Sequence, residues 1–222
     1  MAMGVDTTKD SLRAWLGQPG DAARYKAIGE LDENCRDILA LSPFAVVATS
    51  GADGSCDASP RGGPPGFIRM LSSTRVALAE LPGNRLFDGA QNLAENPYAA
   101  LLVMIPGMIE TLRIEGHAAL DTSEELRRAT ALDGKLPWGA LVIDVVRAFA
   151  HCGKALKRSR LWEPATWPSA GERPRIGAVM AAHMAAPGPG GSAEATTAAE
   201  IDADLQETYR NRLWWGEPAA AG

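Results

Sequence analysis

A chain of 222 residues, 46% hydrophobic and 22% charged, has the composition of an ordinary globular protein with one sizeable core. Lys and Arg number 22 against 27 Asp and Glu, a formal balance of −5, which argues against a general binder of nucleic acid or of anionic membranes. No apolar run approaches the roughly 20 residues that span a bilayer, and the first ten residues lack the basic-then-apolar order of a secretory signal, so the expectation is a cytoplasmic protein.

In chain order, Leu12, Trp15 and Leu16 recur at helical spacing until Gly17-Gln18-Pro19-Gly20 breaks the pattern. Asp32 can cap a second helix whose stripe is Leu31, Cys35, Ile38 and Leu39, and Pro43 forbids its continuation. Residues 44–50 are β-rich, Asp53-Gly54 is a turn signal, and residues 55–59 can return as the hairpin partner. The segment Ser59-Pro60-Arg61-Gly62-Gly63-Pro64-Pro65-Gly66-Phe67 follows, placing one cation in a backbone that suits a rigid cradle better than a strand interior. Arginine there offers a planar fork to a phosphate or a heterocycle's carbonyl edge; the alternative is a surface turn with a solvated arginine.

Residues 75–79 read as a third strand, after which Pro82-Gly83-Asn84 leads into a helix lined by Leu86, Ala90 and Leu93, with Asn84 as its cap. Arg85 in a first helical turn opposes the macrodipole unless an anion compensates. Residues 98–105 are apolar at nearly every position, as in a strand covered on both faces, which suggests that its outer face meets another subunit. In the next strand Leu112, Ile114, Ala118 and Leu120 oppose Thr111, Arg113, Glu115 and His117, so Thr111 and Arg113 point the same way. A short polar helix over 121–131 precedes a buried strand over 139–146, with Asp144 on the face of Val142 and Val146. About six strands with short helices between them imply a mainly β, barrel-like sheet with peripheral helices.

The densest basic cluster, residues 151–159, runs directly into Leu161-Trp162 and could clamp a phosphate and stack a ring, or be a solvated basic face. Residues 185–199 have linker composition, and Ala198, Ile201, Leu205, Tyr209 and Leu213 then recur as in a terminal helix. Three scattered cysteines and three scattered histidines argue against a disulfide framework and a metal site, and buried free thiols are expected.

An ordered set of motifs carries a family resemblance: Ser42-Pro43-Phe44, Asp53-Gly54, Ser59-Pro60-Arg61-Gly62, Pro64-Pro65-Gly66-Phe67, Pro82-Gly83-Asn84-Arg85, Asn96-Pro97, Glu110-Thr111-Leu112-Arg113-Ile114-Glu115-Gly116, and His151-Cys152-x-Lys154-Ala155-x-x-Arg158-Ser159-x-Leu161-Trp162. The chain over about 31–167 resembles the FMN-binding split barrels related to pyridoxamine 5′-phosphate oxidase, in a bacterial branch with the His-Cys-x-Lys-Ala element. The resemblance implies a six-stranded Greek-key split barrel and a homodimer with FMN in clefts between subunits. It divides the chain into an N-terminal helical extension (1–30), the barrel (31–167), an irregular segment and flexible linker (168–199), and a C-terminal helix and tail (200–222).

Carried over residue by residue, the resemblance makes Ser59, Arg61 and Gly62 a wall of the flavin cleft and puts Asn84 and Arg85 at its phosphate. Thr111 would touch the ring from a strand, with Arg113 on the same face, while Lys154, Arg158 and Trp162 would reach the cofactor of the other subunit. The implied activity is hydride or electron transfer between a small-molecule substrate and FMN. No acid or base is assigned; His117 and His151 are candidates only because histidine titrates near neutrality. The ending Tyr209-Arg210-Asn211-Arg212-Leu213-Trp214-Trp215 lacks the Arg-Leu-x-P pattern of the pyridoxamine phosphate oxidases, which speaks against vitamin B6 oxidation. The remaining expectations are a non-catalytic flavin or haem binder and a reductase using the deazaflavin F420.

Overall fold

The computed structural model describes residues 8–81, 83, 86–186 and 196–212. Its centre is one antiparallel sheet of seven strands: β1 Phe44–Ser50, β2 Cys56–Gly62, β3 Ile68–Ser72, β4 Arg75–Glu80, β5 Tyr98–Met104, β6 Thr111–Asp121 and β7 Gly139–His151. Around it lie helices α1 Lys9–Leu16, α2 Asp21–Tyr25, α3 Glu33–Leu41, α4 Asp88–Glu95, α5 Glu124–Ala129, α6 Lys154–Ser159, α7 Ile176–Ala185 and α8 Ala198–Asn211. The strand order is β2-β1-β5-β6-β7-β4-β3, so β2 and β3 are both edges, and among the described residues no backbone hydrogen bonds close the sheet.

The mainly β sheet with peripheral helices is as expected, but the six-stranded Greek-key split barrel is not reproduced in two respects. The additional strand, β3, lies between the Pro64-Pro65-Gly66 turn and a Ser72-Ser73-Thr74 turn, where five residues show too little alternation to be read as a strand. The gap between the β2 and β4 ends is bridged by side chains instead of a ladder.

Alternation explains the core. Ala45 and Val47 of β1, Leu101 and Val103 of β5, Leu112 and Ile114 of β6, Ile143 of β7 and Val76 and Leu78 of β4 face inward, and all are buried. Helix α3 plugs one end with Leu31, Cys35 and Leu39. Its cap is the expected one: the Asp32 carboxylate accepts the Cys35 N–H at 2.9 Å, and Asn34 and that amide hold the carboxyl below its ordinary value. The outer face of β5 is only half covered, since Ala100, Leu102 and Met104 are partly exposed while Ala99, Leu101 and Val103 are buried.

Strand β7 runs to His151, beyond the predicted end at Val146, because it keeps pairing with β6 through a bulge. Glu115 faces Arg147 and Gly116 faces Val145, which leaves Val146 as the extra residue. Only residues 139–144 of β7 pair with β4. Over the remainder Ile28 exchanges two backbone hydrogen bonds with Ala148, at 2.9 and 2.8 Å, and Lys26 Nζ donates to the Ala150 carbonyl.

Other expectations need correcting. Helix α4 starts at Asp88, so Leu86 precedes it and is 57% exposed rather than lining it. Cys35 is buried, but Cys56 and Cys152 are exposed. The stretch 168–199, expected to be irregular, contains α7; its composition is apolar around the whole circumference and so shows no helical stripe. The flexible-linker expectation otherwise falls largely on residues 187–195, outside the described residues. No helix among the described residues is long and apolar enough to cross a membrane.

Helices α7 and α8 pack on each other where Gly177 allows close approach; a Cβ there would lie 2.2 Å from the Ala198 carbonyl oxygen. The Asp202 carboxylate accepts Nη2 of Arg175 at 2.6 Å and the Gly177 N–H at 2.7 Å, and these contacts lower its carboxyl from the ordinary 3.8. A depressed folded value means that this junction contributes stability above pH 3.8 and loses it as pH falls through the folded value. Hydrogen exchange should therefore show protection of the Gly177 amide, corrected for its intrinsic rate, dropping on the acid side of 3.8 in the wild type. Asp202→Asn should show no such step; an identical profile in both proteins would refute the contact.

Candidate functional site

Arg61 sits inside β2, not in a loop beyond it. An edge strand needs only one side of its backbone paired, so Pro60, which has no N–H, fits opposite Val46 without breaking a ladder. Alternation then turns Asp57, Ser59 and Arg61 to the inner face and Pro60 and Gly62 to the outer. The turn after β2 depends on Gly66, whose φ of +81° suits the bond from Phe67 N–H to the Pro64 carbonyl at 3.0 Å. That turn buries Phe67 beneath the strand.

The opposite wall comes from the other end of the sheet. Glu80, the last residue of β4, faces inward, and its Oε1 accepts Nη1 of Arg61 at 2.7 Å. Between these walls lies a cavity of about 500 Å³, reached also by Leu81, Gly83, the start of α4 and Leu132. Phe87 lines it with φ 54° and ψ 29°, a left-handed conformation uncommon for a bulky side chain, and its ring packs on Trp138 with centroids 5.6 Å apart. Packing of this kind is what sustains backbone strain beside a site.

The charge of the cavity is uneven. Asp57, Glu80 and Asp88 line it, against Arg61 as the one cation among the described lining residues. Arg61 is only partly satisfied: Nε is buried without an acceptor.

Of the residues expected from the sequence, the structure brings Ser59, Arg61 and Gly62 together on this cavity. Thr111 and Arg113 lie on the outer face of β6, three strands away from β2, or roughly 14 Å at the usual strand spacing. There Arg113 and Arg147 both pair with the Glu115 carboxylate, at 3.0 and 2.7 Å, and Lys26, Arg113 and Arg147 surround the Phe149 ring at 4.8 to 5.5 Å. Lys154 and Arg158 are exposed on α6. Trp162 is engaged elsewhere, donating its indole N–H to the Met108 carbonyl at 2.8 Å. His151 is opposite Thr111 with Nδ1 buried and unpaired, and His117 meets Tyr98 edge-on at 5.4 Å. Asn84 and Arg85 lie outside the described residues, although Gly83 and Phe87, which bracket them, both line the cavity.

Sequence reasoning missed Glu80, Asp57 and the Phe87–Trp138 pair. The available signal for Glu80 was alternation: continuing the Val76, Leu78 series by one step puts a carboxylate on the core face.

The sequence profile of the pyridoxamine 5′-phosphate oxidase family matches residues 31–151, so the chain belongs to that family. Among curated proteins nothing matches it. Solved structures similar to it include HupZ of Group A Streptococcus, with 17% identity over 54% of this chain and 93% of that one, at a TM-score of 0.45. A protein from Clostridium acetobutylicum related to general stress protein 26, of the pyridoxinephosphate oxidase family, is 12% identical over 54% and 86%, at 0.42. An FMN-binding protein from Syntrophomonas wolfei is 12% identical over 53% and 88%, at 0.40.

Proposed function

We propose that the chain is a flavoprotein that binds FMN and serves as an oxidoreductase on a small-molecule substrate. The observation that carries this reading is the cavity of about 500 Å³ with an under-satisfied arginine in its wall, in a chain of this family. That volume is in the range of cofactor pockets, and a buried donor without an acceptor calls for a ligand oxygen or nitrogen.

The residues fit the ring end of a flavin. Ser59 and Arg61 supply donors for a heterocycle edge, Phe87 backed by Trp138 supplies an aromatic wall, and Leu81 and Leu132 add apolar lining. They do not fit the phosphate, since three carboxylates outnumber one cation in the described lining. The phosphate goes to Asn84 and Arg85 in this reading, as the family resemblance implies. FMN supplies hydride or electron transfer at its ring, and the protein's part is to hold and orient it. In this reading the half-covered outer face belongs to a homodimer, and Thr111, Arg113, Lys154, Arg158 and Trp162 approach the cleft from the second subunit.

The visible spectrum of the purified protein tests the cofactor. Flavin bands with FMN released on denaturation are expected; a haem Soret band without flavin, or a deazaflavin spectrum, would replace FMN. Arg85→Ala should weaken FMN binding about tenfold or more, because a charge-assisted phosphate contact is worth roughly 1.5–3 kcal/mol. Unchanged affinity in a fluorescence titration would remove Arg85 from the site.

A further inference from the structure

Glu80 is an acid where the fold would otherwise place an apolar residue. Its side chain is only 10% exposed, it follows Val76 and Leu78 on the core-facing side of β4, and a carboxylate so placed is costly unless paired. Its ion-pair partner is Arg61, which arrives from the far end of the sheet with no ladder between the two strands.

The pair uses only one end of the guanidinium. Nη1 is engaged by Glu80; Nε is buried without an acceptor, and Nη2 has none among the described residues. Nε and Nη2 together form the side-on edge of the guanidinium, whose two parallel N–H groups match a ligand edge carrying two adjacent acceptors. Arg61 also borders a void of about 10 Å³, which has room for one water at most, so a larger ligand must meet Arg61 from the main cavity.

Two kinds of ligand edge could satisfy that fork, a phosphate or the carbonyl-and-ring-nitrogen edge of a neutral heterocycle. The charge of Arg61 is already matched by Glu80, and Asp57 and Asp88 add further negative charge to the same cavity. A dianion gains little there, whereas a neutral edge needs donors rather than net charge. Resting on the flavin reading above, we propose that Glu80 is a positioning residue that fixes Arg61 to recognise the ring edge of the cofactor and not its phosphate.

Riboflavin and FMN, titrated separately against the full-length protein by fluorescence quenching, separate the two. Glu80→Ala should weaken both ligands by the same factor, about tenfold or more, leaving their ratio as in the wild type. Glu80→Gln, which keeps an acceptor for Nη1, should restore most of the riboflavin affinity. In an Arg61→Ala background Glu80→Ala should change neither affinity further, while the thermal midpoint still moves. Loss of FMN affinity with riboflavin unchanged would place the pair at the phosphate and overturn the proposal. A lowered midpoint with both affinities intact would reduce the pair to a closure of the sheet and overturn it as well. A wild-type protein that binds neither ligand defeats the flavin reading together with this one.

Discussion

Gly116→Ala is expected to lower the thermal midpoint by roughly 6–12 °C, the largest effect of a methyl group added at any glycine of the sheet. The reason is contact, not backbone freedom. A Cβ on Gly116 would lie 1.9 Å from the Asp144 carbonyl oxygen and 2.8 Å from its carbonyl carbon, both in the backbone of β7. Main chain cannot swing aside as a flexible side chain can. The displaced stretch also holds the bulge that keeps Glu115 opposite Arg147 and His117 opposite Asp144, so relief on one side breaks pairing on the other. Overpacking of this severity costs about 3 kcal/mol, and a chain of this size loses 2–4 °C for each kcal/mol. Gly29→Ala is the control, since the nearest atom to its added carbon is 4.0 Å away. Circular dichroism melts that place both variants within about 2 °C of the wild type would contradict the close approach of β6 and β7.

Arg61→Ala should combine two losses. Flavin binding should weaken more than tenfold, because the cavity loses a cation and a fork of donors. Stability should also fall, by about 2 kcal/mol, because Glu80 is left desolvated without a counter-charge. Full burial of a pair would cost more, but the Arg61 side chain is 20% exposed and water reaches it. Removing the stranded acid as well, in Arg61→Ala with Glu80→Ala, should recover most of the thermal midpoint and none of the binding. Recovery of both would mean that Arg61 supports the sheet and touches no ligand.

What could be read from the sequence was local. Asp32 capping α3, the β1–β2 hairpin around Asp53-Gly54, and Thr111 and Arg113 sharing a face of β6 all follow from spacing within about ten residues. Arg61 was conspicuous because it stands alone among glycines and prolines. Glu80 was not: the predicted strand stopped at Ala79, and a carboxylate at a strand end looks like the start of a turn. Its meaning depends on β2 and β4 curling toward each other from opposite ends of the sheet, which no periodicity encodes. The full length of β7 was hidden for a related reason, since the bulge at Val146 shifts the alternation that marked its first half. Helix α7 escaped because alanine, glycine and methionine on every side erase the contrast that reveals a helix.

The bridge between Ile28 and Ala148 occupies the one stretch of β7 that β4 leaves uncovered. A row of vacant amides and carbonyls is a template for any passing extended peptide, its own kind included. The segment ahead of the sheet covers part of that row, at Ile28. A protein trimmed back to the family's matched region, 31–151, would leave the Ala148 amide and carbonyl without their partner at Ile28.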